Sequence, residues 1–171
     1  MTGGGNPHHS PSRSLRLPYG FPPGNPPGTG NSYTPWMNLL EAFGGPEMID
    51  RVIDRFGEYV EADPALRAIY PEDMAPGQRK VKLFFEQWMG GGPVYSTLYG
   101  HPRLRRRHFP FVIDDLAVGR WLRYMRQAMA DEGVPGEVQA VIFEAFGPLA
   151  RHMHNAGEDI PREPLGDAVL Q

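Results

Sequence analysis

The sequence predicts an all-α protein. Apolar residues recur at three- and four-residue intervals in several separate segments. Proline, glycine and short polar residues bound those segments in the positions that start and stop helices. No segment shows the two-residue alternation of a strand.

Residues 1–33 stand apart from this pattern. The first 35 residues hold 7 Gly and 8 Pro, so 15 of 35 positions break regular structure. Runs such as Phe21-Pro22-Pro23-Gly24 cannot bury enough apolar surface to offset ordering entropy. Residues 1–33 are therefore expected to be a disordered arm and 34–171 a single helical domain with a short C-terminal tail. Thr34-Pro35 reads as a helix start, with threonine as N-cap and proline in the first turn. That short helix should stop at Gly44-Gly45. Pro46 opens a longer one, whose Met48, Ile49, Val52, Ile53, Phe56 and Val60 form one stripe. Asp63-Pro64 starts a short turn of helix ending near Tyr70. Residues 77–89 are predicted as the next helix, with Val81, Phe84, Phe85 and Trp88 on one face, ended by Gly90-Gly91-Gly92-Pro93. An irregular stretch is expected from Tyr95 to His101, then two helical turns from Pro102 to His108, stopped by Pro110. Asp114 or Asp115 caps a helix carrying Trp121, Leu122, Met125 and Met129. Gly133 ends it and Pro135 begins the last, which Pro148 should kink or break.

Composition narrows the function. The 171 residues are 40% hydrophobic and 22% charged, with a net charge of −3 and no cysteine. Disulfides, thiolate metal sites and cysteine nucleophiles are excluded. No apolar run is long enough to span a bilayer, and no secretory leader is visible, so a cytoplasmic location without membrane or nucleic-acid partners is expected. Ser96 is the one serine of the predicted domain, which argues against a serine hydrolase. No phosphate-binding glycine loop or His-Glu-x-x-His motif occurs.

The chemistry concentrates in Gly100-His101-Pro102-Arg103-Leu104-Arg105-Arg106-Arg107-His108-Phe109-Pro110-Phe111. Four arginines within five residues would ordinarily mean a solvated face or phosphate contact. Outside the arm, however, 20 Asp and Glu face 15 Lys and Arg. A histidine ending a short helix is ordinarily a helix-end residue whose cation suits the dipole. His8 and His9 lie in the arm. His101 should order a turn before Pro102. His152 and His154, two apart, point to nearly opposite faces and chelate poorly. The aromatics Phe56, Tyr70, Phe84, Phe85, Trp88, Trp121 and Phe146 could simply fill a core. Together, one histidine, neighbouring arginines and many aromatics in an all-α domain also suit a flat apolar cofactor with carboxylate tails, such as haem.

The run from Gly100 to His108 resembles the segment leading into the proximal histidine of group II (O-type) truncated haemoglobins. Ile69-Tyr70-Pro71-Glu72-Asp73 resembles that family's distal corner. Phe84-Phe85-Glu86-Gln87 with the following glycines and Pro93 is similar to the end of its distal helix. Arg120-Trp121-Leu122 is similar to the segment carrying its distal tryptophan. The likeness spans Trp36 to Met153. It implies a two-over-two helical sandwich around b-type haem, with His108 binding iron. Tyr70 and Trp121 would line the ligand side, and Val81, Phe84 and Phe85 would be its wall. Lys80, Tyr95, Arg103 and Arg107 would meet the propionates, so the arginine cluster would be a charge-assisted anion grip. The implied function is reversible binding of oxygen or another diatomic ligand, for transport, storage, sensing or detoxification. The alternative is peroxidase-like or nitric-oxide dioxygenase chemistry. An unidentified reductase and a homodimer are left open. One departure matters: where the family carries a distal tyrosine after a phenylalanine, Phe56 is followed by Gly57. Tyr59, about 200° further round a helix, is no simple substitute. Gln78 would supply a polar contact at the start of the distal helix, whereas Gly77 in that position would leave the pocket open.

Overall fold

The computed structural model describes residues 39–165. The arm, His8, His9, the Thr34-Pro35 start and residues 166–171 lie outside them. Eight helices are present among the described residues: α1 (Leu39–Phe43), α2 (Gly45–Ala62), α3 (Pro64–Arg67), α4 (Ala75–Trp88), α5 (Val94–Tyr99), α6 (Leu104–Arg107), α7 (Asp115–Asp131) and α8 (Gly136–His152). Helix α2 packs against both α4 and α7, and α7 packs against α8. The pair α2 and α4 thus lies over the pair α7 and α8, a two-over-two helical sandwich.

The turn between α1 and α2 needs its glycines. Gly44 and Gly45 adopt φ of 111° and 77°, a region that side chains disfavour. Pro46 then sits in the first turn of α2, where its missing N–H costs nothing. The predicted stripe of α2 is the core: Ile49, Val52, Ile53, Phe56 and Val60 are each at most 6% exposed. Burying one such side chain contributes about 1.5–3 kcal/mol, so Ile53→Ala should cost about 2–5 kcal/mol. Asp63 ends α2 and caps α3, its carboxylate accepting from the N–H groups of Ala65 and Leu66 at 3.0 and 3.3 Å. Asp114 caps α7 in the same way, accepting from Ala117 N–H at 2.8 Å.

Four sequence expectations differ from the structure. Helix α4 begins at Ala75, two residues early, because Pro76 is a first-turn proline rather than a breaker. The stretch expected to be irregular contains α5. Its β-branched and aromatic residues have low helix propensity, but tertiary contacts override that. Tyr95 is buried against Phe84. The Gln87 side chain accepts from Ser96 N–H and donates to Ser96 Oγ, both at 2.8 Å. Helix α6 is a single turn, since Arg103 at φ 45° cannot belong to a right-handed helix. Helix α8 continues through Pro148 to His152. The carbonyl left without its N–H partner is that of exposed Glu144, which solvent can serve. Phe146, 2% exposed, anchors the turn in the core.

Candidate haem site

His108 caps the C-terminal end of α6. Its Nδ1 lies 2.7 Å from the Leu104 carbonyl oxygen. A carbonyl only accepts, so Nδ1 must carry the proton. That leaves Nε2 with its lone pair, and Nε2 has no hydrogen bond among the described residues. Burial pushes the His108 pKa below its ordinary value, opposed by the Leu104 hydrogen bond. A neutral imidazole with a fixed tautomer and a free Nε2 is the donor that iron requires. The residue therefore fits a haem ligand.

The neighbouring arginines do not act as one group. The Arg105 guanidinium donates to the carbonyls of His152 and His154 and pairs with Glu158 at 2.6 Å. Arg106 donates to the Glu163 carbonyl at 2.9 Å. These two hold the segment after α8, which corrects the expectation of a single propionate grip. Arg107 donates from Nε to the Pro102 carbonyl at 3.0 Å and from Nη2 to the Tyr99 carbonyl at 3.5 Å. Arg103 is exposed, and its backbone N–H bonds to His101 Nδ1 at 3.2 Å, the turn expected of that histidine.

Several predicted residues meet along α4 and α5. Lys80 lies over the Tyr99 ring at 5.1 Å. Tyr99 packs on Tyr95 at 5.3 Å, and Tyr95 meets Phe84 edge-on at 6.0 Å. Arg107 touches the same Tyr99, so Lys80, Phe84, Tyr95 and Arg107 form one connected patch. Tyr99 was missed by sequence reasoning. Its signal is the four-residue spacing from Tyr95, which only means something once the stretch is helical. Val81 packs against the core, and Phe85 lies 4.9 Å from Phe146.

A second cluster joins α2, α7 and α8. Burial holds the Tyr70 pKa far above its ordinary value, opposed by the neighbouring Trp121 indole. Phe56 and Phe146 meet the Trp121 ring edge-on at 5.6 and 6.1 Å. The backbone at Tyr70 is set by Arg67, also missed, which donates to the carbonyls of Tyr70, Pro71 and Glu72. A guanidinium serving three successive carbonyls has no sequence signature.

Gly57 is buried beside this cluster. A β-carbon at Gly57 would meet Gln78 Nε2 at 2.3 Å, with no other atom closer than Gln78 Cδ at 3.6 Å. The Gln78 amide thus lies against the glycine, while Gly77 is exposed with nothing near it. Both Gly57 and Gln78 line an open groove of about 720 Å³ that Asp54, Glu58 and Glu61 also edge. Tyr59 turns elsewhere: its hydroxyl donates to Asp131 and its ring stacks on Tyr124 at 5.4 Å.

Comparison with known proteins agrees with this arrangement. A family model described as bacterial-like globin matches residues 38–155. The group 2 truncated hemoglobin YjbI of Bacillus subtilis (strain 168) is 40% identical over 114 residues, covering 67% of this chain and 86% of that protein. The crystal structure of the group II truncated hemoglobin from Bacillus anthracis superposes with a TM-score of 0.67 at 41% identity, over 69% of this chain and 96% of that one. A thermostable hemoglobin from Thermobifida fusca superposes with a TM-score of 0.66 at 41% identity, over 70% and 98%. A family match over residues 38–155, a relative 40% identical across most of its length and a shared two-over-two frame make this chain a group II truncated haemoglobin of the bacterial-like globin family.

Proposed function

We propose that the protein binds oxygen, or another diatomic ligand, reversibly at the iron of haem b, with His108 as the proximal ligand. The observation that carries this is the 2.7 Å bond from His108 Nδ1–H to the Leu104 carbonyl. It fixes the tautomer, orients the ring and leaves Nε2 for the metal. Haem supplies the ligand-binding iron, and the chain supplies a socket for it. Val81, Phe84 and Phe85 wall the ligand side. Lys80, Tyr95, Arg103 and Arg107 receive the propionates. Arg103 holds a left-handed backbone that costs on the order of 1–2 kcal/mol, an expense consistent with a side chain held in place for a partner. Trp121 and Tyr70 present the N–H and O–H that a polarised ligand accepts, and Gln78 adds an amide where Gly57 offers no side chain. The truncated haemoglobin of Bacillus subtilis, a structural relative 39% identical to this chain, is oxygen-avid, which favours oxygen as the ligand here. Among the described residues no helix is long and apolar enough to cross a membrane.

The test is the spectrum of the purified protein and of His108→Gly. The wild type should bind one haem per chain with a histidine-ligated ferrous spectrum. The variant should lose haem or hold it weakly, and added imidazole should restore the spectrum. An unchanged spectrum in His108→Gly sinks the assignment.

A further inference from the structure

We infer that the segment following α8 is a clasp that positions the proximal imidazole, with Asn155 and Arg162 as positioning residues. The inference rests on His108 being the iron ligand. Asn155 is 0% exposed, the one fully buried polar side chain among the described residues. Such a group is costly unless each polar atom finds a partner, and here each does. Asn155 Nδ2 donates to the His108 carbonyl at 3.1 Å. Its Oδ1 accepts from Ile113 N–H at 3.1 Å and from Arg162 Nη1 at 2.9 Å. Its backbone N–H donates to the Ile113 carbonyl at 2.9 Å. Arg162 adds bonds from Nη1 to the carbonyls of Phe109 and Phe111, at 2.9 and 3.3 Å, and from Nη2 to that of Asn155 at 3.1 Å.

The stretch from His108 to Ile113 belongs to no helix. Local turns partner the His108, Phe109 and Phe111 amides, and two distant side chains serve the Ile113 amide and the carbonyls of His108, Phe109 and Phe111. The grip is reciprocal. Arg105 and Arg106, in the turn that carries His108, hold His152, His154, Glu158 and Glu163. The tail in turn holds residues 108–113. His108 is thus fixed at two levels: its ring by the Leu104 carbonyl, its main chain by Asn155. Removing the Asn155 side chain leaves the Ile113 amide without its partner and the His108 carbonyl with only the Phe111 N–H, and the loop must shift to recover the lost bond. Any such shift would displace the imidazole that would hold the iron.

The experiment uses full-length holoprotein carrying Asn155→Ala, Arg162→Gln or, as a matched control, Ile142→Val. Ile142 is 1% exposed in α8 and belongs to the main hydrophobic core, which includes none of the clasp residues, so the control should lower the melting temperature without altering the loop. Two quantities are read: the iron–histidine stretching frequency of the ferrous ligand-free protein, and the rate of haem transfer to excess apomyoglobin. In both clasp variants the stretch should shift or broaden, and haem loss should accelerate roughly 10–100-fold, the usual effect of losing a group that orients a metal ligand. Ile142→Val should change neither. If Asn155→Ala does not fold, Arg162→Gln alone decides, since Asn155 then keeps its bonds to His108 and Ile113. A stretch and haem-loss rate equal to wild type in folded variants, or changes matched by the control, overturn the clasp. If the wild type shows no iron–histidine band, or His108→Gly leaves it unaltered, the ligand assignment fails and the clasp fails with it.

Discussion

Gly57→Ala isolates one contact in the candidate ligand pocket. The new β-carbon would stand 2.3 Å from Gln78 Nε2. Favourable contact begins near 3.5 Å, so the amide must withdraw by roughly 1 Å. The obstacle is the end of a flexible side chain, and a change of rotamer removes it. Disturbing a packed side chain in this way costs on the order of 0.5–1.5 kcal/mol. Against it stands the gain from replacing a mid-helix glycine by alanine, about 1 kcal/mol, which comes mainly from the less free unfolded chain. The two nearly cancel, so Gly57→Ala should leave the melting temperature within about 2 °C of wild type, given roughly 2–4 °C per kcal/mol at this size. In a Gln78→Ala background the obstacle is gone and the full gain of about 2–4 °C should appear. Thermal melts of the wild type, both single variants and the double variant measure this coupling. Stopped-flow oxygen release on the same proteins gives the functional half. If the amide serves the ligand, Gly57→Ala and Gln78→Ala should speed release by similar factors. Equal stabilisation by alanine in both backgrounds would show that Gln78 does not occupy the space beside Gly57, and the reasoning would be wrong.

Trp121→Phe removes the indole N–H beside Tyr70 while keeping an aromatic wall. If that donor serves the ligand, a bond of about 1–2 kcal/mol is lost and oxygen release should quicken about tenfold, with carbon monoxide release changing less. Unaltered oxygen release would reduce Trp121 to packing. Deleting residues 1–33 should leave the absorption spectrum and ligand kinetics as they are, because the proposed socket uses none of the arm; a large change in either refutes this. Asp131 is held down to about 2 by hydrogen bonds from Tyr59, Gln127 and Arg55. Its folded pKa lies below the ordinary 3.8, so the folded state binds the proton less readily than the unfolded chain. The stability it contributes is complete above that value and is lost as pH falls towards 2. Asp131→Asn should flatten the pH dependence of unfolding between about pH 4 and 2, followed by denaturant melts; an unchanged slope would remove Asp131 from the acid limb.

Helix existence was legible in the sequence wherever local and global preferences agreed. The α2 stripe, the Asp63-Pro64 helix start and the Gly44-Gly45 break follow from spacing and backbone freedom alone, and the structure keeps them; of the two candidate caps Asp114 and Asp115 it selects Asp114. Helix α5 was not legible, because the groups that stabilise it are Gln87 on α4 and the Phe84 ring, and propensity within the stretch points the other way. Pro148 misled for a similar reason: its penalty is real, but it falls on an exposed carbonyl while Phe146 anchors the same turn.

The proposed site divides along the same line. His108, Trp121 and Tyr70 could be picked out because the residues around each form recognisable local runs, and the absence of a side chain at Gly57 was visible directly. The sequence also determined that no thiolate could ligate a metal here, since there is no cysteine. The tautomer of His108 was not determined until Leu104 was placed 2.7 Å away. Nor was the division of the arginines, because Arg105, Arg106 and Arg107 are chemically identical in the chain. Their roles are set by which carbonyls fold to within reach: the tail for the first two, Pro102 and Tyr99 for the third. Periodicity and capping act over a few residues and are written locally. Hydrogen-bond partners some 50 residues apart exist only once the helices are packed, so only the tertiary structure could assign them.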